Sequence, residues 1–204
     1  MKPNRIFDAA GKSIPVTDIE VSPLTVVQVK TTDHDGYDAI QIGFNFKNSK
    51  KWTKPKIGHL KKAGFGTKFL PRFLREIRYA PDPSAEFKIN DKIEIDQVFK
   101  IGDKVKVTAT SKSKGFQGGV KRHGFAGGSR THGQSDRERA PGSIGQTTTP
   151  GHVYKGKRMA GRMGGVDITI SGLQVVAIDT EKKMLRLKGL IPGNKEAPVI
   201  ITKQ

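Results

Sequence analysis

The sequence contains no cysteine, which excludes both a disulfide framework and a zinc site with cysteine ligands. Aromatic residues make up only 7% of the chain, and the 19 acidic residues are about half as many as the 37 lysines and arginines. No apolar run approaches the roughly 18 residues that cross a bilayer, so no membrane partner is expected. The N-terminus also lacks the apolar core of a signal sequence. We therefore expect a cytoplasmic protein.

Positive charge is what the chain has in excess. The formal net charge is +18 and the pI is about 10.1, which makes nucleic acid the leading class of partner. Residues 111–165 hold half of this charge: they contain 14 glycines, 11 lysines or arginines and two acids, a net charge of +9. We call this segment the basic extension.

The composition of the basic extension predicts how it behaves. It is too polar to bury a core, so we expect it to take its shape from a polyanion such as folded RNA. Lysine and arginine neutralise phosphates, and glycine allows the backbone to approach another surface closely. The sparse aromatic residues Phe116, Phe125 and Tyr154 can either stack on bases or pack at the base of the segment.

A second basic stretch, residues 47–68, contains eight lysines, one tryptophan and no acid. Ile57, Leu60 and Ala63 have helical spacing, which predicts a short helix that ends near Gly64. This stretch is either a solvated surface loop or a further RNA contact. We favour RNA contact because the chain also carries the basic extension.

The rest of the chain alternates short β-like runs with turn residues, at 13–21, 24–30, 38–46, 72–79, 92–98, 104–110, 166–179, 184–190 and 198–202. Many short strands predict a mainly β fold, a small closed or nearly closed barrel. The barrel would comprise residues 1–110 and 166–204, and the basic extension would interrupt it. The expected core residues are Ile14, Val16, Ile19, Val27, Val29, Ile40, Ile42, Val105, Val107, Val175, Val176, Ile178, Leu185 and Leu187.

No enzyme motif is complete in the sequence. The glycine and lysine spacing of residues 151–157 matches a phosphate-binding loop, but Arg158 replaces the Ser or Thr that would hold magnesium, and no hydrophobic strand precedes it. The five histidines lack metal-ligand spacing. Residues 142–145, GSIG, do not form a G-x-S-x-G nucleophile elbow, because Pro141 stands where the first glycine would be. We expect no catalysis, no metal, no cofactor and no small-molecule substrate.

Five stretches of the basic extension carry a family resemblance: residues 113–118, 121–125, 131–133, 139–146 and 149–164. They read SKGFQG, KRHGF, THG, RAPGSIGQ and TPGHVYKGKRMAGRMG. This series resembles the signature of large-subunit ribosomal protein L three, bacterial type. Shorter matches elsewhere extend the resemblance over nearly the whole chain.

The resemblance implies a six-stranded split barrel on the surface of the large ribosomal subunit, with an extension that penetrates the rRNA toward the peptidyl-transferase centre. It implies binding near the 3′ end of the large-subunit rRNA, contacts with neighbouring ribosomal proteins and a part in starting subunit assembly. The expected rRNA-binding side chains are Lys54, Lys61, Lys62, Lys112, Lys114, Lys121, Arg122, His123, Arg130, His132, Arg137, Arg139, Gln146, His152, Lys155, Lys157, Arg158 and Arg162. Close backbone approach is expected at Gly115, Gly118, Gly133, Gly142, Gly145, Gly151, Gly156 and Gly161.

One departure from the family pattern has a chemical consequence. Thr148 occupies the position of a glutamine that is N-methylated in some members, so this modification is expected to be absent. Two alternative functions stay open at this point. One is a flavin-binding oxidoreductase with a split barrel, and the other is an assembly factor that visits RNA transiently.

Overall fold

The computed structural model describes residues 1–8, 10–48, 50, 52–79 and 87–204, and this part of the chain is mainly β. The strands are β1 (Lys2–Phe7), β2 (Ser13–Glu20), β3 (Leu24–Lys30), β4 (Ala39–Asn48), β5 (Phe69–Arg78), β6 (Lys92–Ile93), β7 (Lys104–Thr110), β8 (Phe116–Gln117), β9 (Gly161–Arg162), β10 (Asp167–Asp179), β11 (Met184–Lys188) and β12 (Val199–Lys203). The helices are α1 (Thr32–Asp35), α2 (Lys54–Lys62), α3 (Ile95–Val98) and α4 (Gly119–His123). None of the described helices is long and apolar enough to cross a membrane.

The chain separates into two compact units. The first comprises Met1–Val107, Ile170–Ile191 and Ile200–Gln204, and we call it the β unit. The second comprises Thr108–Thr169 and Pro192–Val199 and contains the whole basic extension, and we call it the extension unit. The domain limits expected from the sequence, at 110 and 166, stay a prediction.

The larger sheet has six strands in the order β1-β2-β11-β10-β7-β12. Apolar and polar residues alternate along β7, so that Val105 and Val107 are buried while Lys104 and Lys106 are exposed. Such alternation buries one face of a sheet and leaves the other to solvent. The hydroxyl of Thr17, a buried polar residue, donates to the carbonyl of Gly189 at 2.6 Å, which satisfies its hydrogen bond.

The smaller sheet has four strands in the order β5-β4-β3-β6, and helix α2 packs against it. Leu60 of α2 is fully buried in a cluster with Val27, Ala63 and Leu70. The apolar residues of α2 recur at helical spacing because one stripe of the helix faces the sheet and supplies core residues. Gly64 follows the end of the helix and has a φ of 81°, a conformation that favours glycine. The predicted position of the helix is therefore confirmed.

The prediction of a mainly β fold is confirmed, and strands occur at every predicted run. The prediction of a strand over residues 92–98 is wrong in its second half: the strand stops at Ile93, and Ile95–Val98 forms helix α3. The reason is local, because Glu94 and Gln97 form a capping box in which the Glu94 amide donates to Gln97 Oε1 at 3.3 Å.

The sheets of the described chain are open. Closure into a barrel requires the two edge strands to pair, and the edges of the six-stranded sheet, β1 and β12, do not pair with each other. The many short strands are therefore present as predicted, but they do not form a closed barrel. Of the predicted core residues, Ile14, Val29, Val176 and Ile178 are half-buried and the other ten are buried.

Candidate nucleic-acid interface

The basic extension buries none of its residues, all of which the structure describes. Its exposed apolar side chains include Phe116, which is 76% exposed, and Tyr154, which is 58% exposed. A segment of this length that stays in contact with solvent gains little from hydrophobic burial. Its shape depends on hydrogen bonds and on glycine turns.

Paired backbone groups close the base of the extension. The Ser111 amide donates to the Val166 carbonyl at 2.9 Å, and the Gly165 amide donates to the Ser111 carbonyl at 3.2 Å. Farther along, the Lys114 amide donates to the carbonyl of Met163 at 2.9 Å. Strands β8 and β9 then pair in an antiparallel register. The outgoing and returning arms therefore run side by side at this end.

Helix α4 follows the outgoing arm, and two of the three predicted RNA ligands that it carries bond to the chain itself. Nη1 of Arg122 donates to the Met159 carbonyl at 2.6 Å, and Nε2 of His123 lies 3.0 Å from the same oxygen. Gly124 ends the helix in the left-handed conformation at φ 73°. Both side chains therefore contact the returning arm of their own chain.

A loop in the middle of the extension contains one internal ion pair. The Gly128 amide donates to the Glu138 carbonyl at 2.8 Å. Nε of Arg130 lies 2.8 Å from Oε1 of Glu138, although the Arg130 side chain is 82% exposed. A pair this exposed contributes little stability, because solvent screens it. Arg130 thus remains available to a partner.

Residues 142–147 and 151–153 line an open cleft of about 460 Å³. Its lining includes the predicted ligands Gln146 and His152, together with the apolar residues Ile144 and Val153. Nδ1 of His152 lies 2.9 Å from the Pro150 carbonyl, and this hydrogen bond requires the proton on Nδ1. The cleft therefore presents apolar walls together with amide and imidazole groups.

Nine of the predicted cations of the extension are exposed and make no hydrogen bond or ion pair through their side chains within the described part of the chain. They are Lys112, Lys114, Lys121, Arg137, Arg139, Lys155, Lys157, Arg158 and Arg162. His132 is also exposed, in a turn where its φ is 61°. Unpaired exposed cations can bind phosphate without first breaking an internal contact.

The predicted glycines differ in what surrounds them. A Cβ would meet no atom within 4 Å at Gly115, Gly118, Gly133, Gly142, Gly145 or Gly156. Four of these six have φ between 68° and 79°, which alone favours glycine, whereas Gly118 and Gly145 do not have a positive φ. The chain itself gives no steric reason for glycine at Gly145. At Gly151 the neighbour is the Thr148 carbonyl, 3.0 Å away, and at Gly161 it is the Arg122 guanidinium, 2.8 Å away.

The remaining predicted ligands lie on helix α2 of the β unit. Lys54, Lys61 and Lys62 are exposed there. Lys56 of the same helix differs: its Nζ lies 4.3 Å from the centre of the Trp52 ring and donates to the Arg72 carbonyl at 2.7 Å. Burial, with a smaller repulsion from Arg72, lowers the pKa of Lys56.

The sequence did not reveal the intramolecular partner of Arg122 and His123. Met159 supplies only its backbone carbonyl, which every residue has, so no side-chain pattern marks it. The described residues contain no group of three or more His, Asp or Glu side chains arranged to hold a metal ion. What the extension offers chemically is positive charge, open backbone and exposed aromatic rings.

The fold and this surface define a class of protein, a mainly β scaffold with a long cationic extension. Comparison with known proteins makes the class specific. The family described as Ribosomal protein L3 matches residues 83–197. The large ribosomal subunit protein uL3 of Herpetosiphon aurantiacus is 50% identical over 199 residues, which are 98% of this chain and 91% of the relative.

Two further relatives bear the same name. The uL3 protein of Bacillus cytotoxicus is 47% identical over 197 residues, covering 97% of this chain and 90% of the relative. That of Azoarcus sp. is 43% identical over 197 residues, covering 97% and 91%. This chain therefore belongs to the ribosomal protein L3 family, and the resemblance stated from the sequence is confirmed.

Proposed function

We propose that this protein is a structural constituent of the large ribosomal subunit in the cytoplasm and that it binds large-subunit rRNA through the basic extension. The observation that carries this proposal is the set of nine exposed, unpaired cations on a segment without a buried residue. Membership of a family whose relatives are named large ribosomal subunit proteins supports it. The protein has no catalytic role in this proposal.

The physical basis of binding is the release of counterions from RNA as lysine and arginine replace them at the phosphates. Where an added Cβ would meet no atom of the chain, the glycine leaves its backbone open to RNA. Gly145 is the clearest example. Gln146, His132 and His152 supply hydrogen-bonding groups, and the lysines of α2 provide a second contact on the β unit.

Further parts of the proposal concern place and role. The protein would bind near the 3′ end of the large-subunit rRNA, contact neighbouring ribosomal proteins, help to start subunit assembly and support the peptidyl-transferase region with its extension. The alternative of a flavin-binding oxidoreductase would need a cofactor pocket, and the cleft beside β6 of the β unit, about 70 Å³, is too small for one. Ligand pockets usually have about 300 to 1,000 Å³.

Filter binding of the full-length protein to transcribed large-subunit rRNA tests the proposal, with small-subunit rRNA as the matched control. We expect tighter binding to the large-subunit transcript and an affinity that falls steeply as salt is raised. Transcripts of the 5′ and 3′ halves locate the site. Equal affinity for both subunits' rRNAs, or binding that does not respond to salt, would contradict the proposal.

Recovery of the protein from large subunits separates a constituent from a transient assembly factor. A constituent stays at about one copy per subunit after a high-salt wash, because an extension embedded in folded RNA cannot leave without local unfolding. A transient factor is lost in the same wash. Crosslinking in washed subunits then identifies the nucleotides that contact the extension.

A further inference from the structure

The side chains of Arg122 and His123 bond to their own chain, unlike the nine unpaired cations of the extension. Both direct a nitrogen at the Met159 carbonyl, at 2.6 Å and 3.0 Å, and that oxygen has two lone pairs with which to accept both protons. Met159 lies 37 residues from Arg122 in the sequence. The two hydrogen bonds therefore join the start of the returning arm to the end of the outgoing arm.

Glycine at position 161 makes room for this contact. A Cβ on Gly161 would lie 2.8 Å from Nη1 of Arg122 and 3.2 Å from its Cζ. The position has no positive φ that would by itself require glycine. The open side of Gly161 is thus occupied by the Arg122 guanidinium, within the chain itself.

Helix α4 holds Arg122 and His123 in place for this contact. A Cβ on Gly119 would lie 2.8 Å from the Phe125 ring, so the ring packs against the first turn of the helix. The Phe125 and His123 rings are 5.7 Å apart. The Arg122 amide donates to the Gly118 carbonyl at 2.9 Å, which anchors the turn that carries the guanidinium.

We propose that Arg122 and His123 are positioning residues: they hold the two arms at the base of the extension together before RNA binds, and they do not contact phosphate. This inference rests on the proposed rRNA binding. With its base already closed, the extension loses less conformational freedom when it enters RNA, and binding is tighter for the same number of phosphate contacts. The loops between the arms take their final shape on RNA.

The test compares Arg122→Ala with Arg158→Ala in the full-length protein, by measuring rRNA affinity across a salt series. Removing one phosphate-neutralising side chain reduces the slope of log K against log salt by about 0.7 to 0.9. We expect this reduction for Arg158→Ala. For Arg122→Ala we expect weaker binding at every salt concentration with the slope unchanged.

Amide hydrogen exchange of the free protein supplies the second measurement. We expect Arg122→Ala to speed exchange at the amides of Lys114, Met163 and Gly165, which pair the two arms. Arg122→Lys retains a donor that can reach the Met159 carbonyl, so it should restore part of this protection. Arg158→Ala should leave exchange unchanged.

The two proposals fail in distinguishable ways. A reduced salt slope for Arg122→Ala together with unchanged amide exchange would overturn the positioning role and leave rRNA binding intact. If the unmodified protein does not bind rRNA, the proposed function fails, and the exchange data alone then decide whether Arg122 closes the base. Gly161→Ala, which displaces the guanidinium and keeps every charge, should reproduce the exchange pattern of Arg122→Ala. Unchanged exchange in Gly161→Ala would count against the contact.

Discussion

Nζ of Lys30 on β3 lies 2.8 Å from Oε1 of Glu76 on β5, and this ion pair spans the intervening strand β4. The Tyr37 hydroxyl donates to the other oxygen of Glu76 at 2.8 Å and accepts from Lys30 at 2.6 Å. The hydrogen bond from Lys30, assisted by that from Tyr37, lowers the pKa of Glu76. The hydrogen bonds to Glu76 and Tyr37 raise the pKa of Lys30.

The first prediction concerns stability in acid. Because the folded state lowers the pKa of Glu76, its carboxylate stabilises the fold above the ordinary value of 4.5, and this contribution is lost as the pH falls through the lowered pKa. Lys30, with a raised pKa, stays charged throughout this window. We expect Glu76→Gln to be less stable than the unmodified protein at neutral pH and to lose less stability on acidification.

Urea unfolding at neutral pH and at about pH 3 measures this difference. Glu181→Gln is the matched control, since Glu181 is an exposed carboxylate in the turn between β10 and β11. If Glu76→Gln and Glu181→Gln have the same acid dependence, the Lys30–Glu76 pair does not act as described.

The second prediction concerns the packing of helix α2. Leu60 is fully buried against Val27 and Leu70, so Leu60→Ala should lower the free energy of unfolding by about 2–5 kcal/mol. Lys61→Ala changes the next residue, which is exposed, and should shift the free energy by no more than about 0.5 kcal/mol. Denaturant unfolding of both variants checks this. Equal effects would mean that α2 does not contribute to the core.

The third prediction compares two glycines, Gly145 and Gly43, which differ in the space available to an added Cβ atom. A Cβ on Gly145 meets no atom within 4 Å, so Gly145→Ala should leave the stability of the free protein unchanged. If RNA packs there, the added methyl group should weaken rRNA binding by about 1–3 kcal/mol. Filter binding and thermal unfolding of the same preparation measure the two effects.

Gly43→Ala gives the opposite result and serves as the control. Its Cβ would lie 2.8 Å from the Pro71 side chain and 2.9 Å from Val27, so this variant should be less stable before RNA is added. Unimpaired rRNA binding by Gly145→Ala would show that RNA does not approach this backbone.

The fourth prediction tests the cations that close the extension. Lys157, Arg158 and Arg162 are exposed and have no side-chain partner in the described chain, so replacing all three by Ala removes phosphate ligands without disturbing internal pairs. We expect weaker rRNA binding and a salt slope reduced by about 0.7 to 0.9 for each phosphate that the variant no longer neutralises.

A charge-matched control removes the same three positive charges elsewhere. Lys2, Lys12 and Lys104 are exposed on the β unit, and their triple Ala variant should change the salt slope less. If both triple variants lower the slope equally, net charge and not the extension governs binding.

Much of the β unit could be predicted from the sequence because its signals are local. β-like runs bounded by turn residues located β3 and β7 at their observed limits, and in β7 apolar and polar residues also alternate. Helix α2 followed from three apolar residues at helical spacing. Ile95 and Val98 favour a strand at residues 95–98, but the capping box of Glu94 and Gln97 makes this segment a helix. The order of strands in the sheets depends on long-range pairing, which no local pattern records.

By itself the sequence determined where positive charge and glycine accumulate, which runs alternate as strands, and the family to which the chain belongs. These properties depend on composition and short-range order. Tertiary structure alone decided that Arg122 donates to a carbonyl 37 residues away while Arg158, in the same segment, stays unpaired within the described chain. It also decided that Gly145 is open and Gly161 is covered. Identical residues acquired different environments because the path of the backbone sets the neighbours of each one.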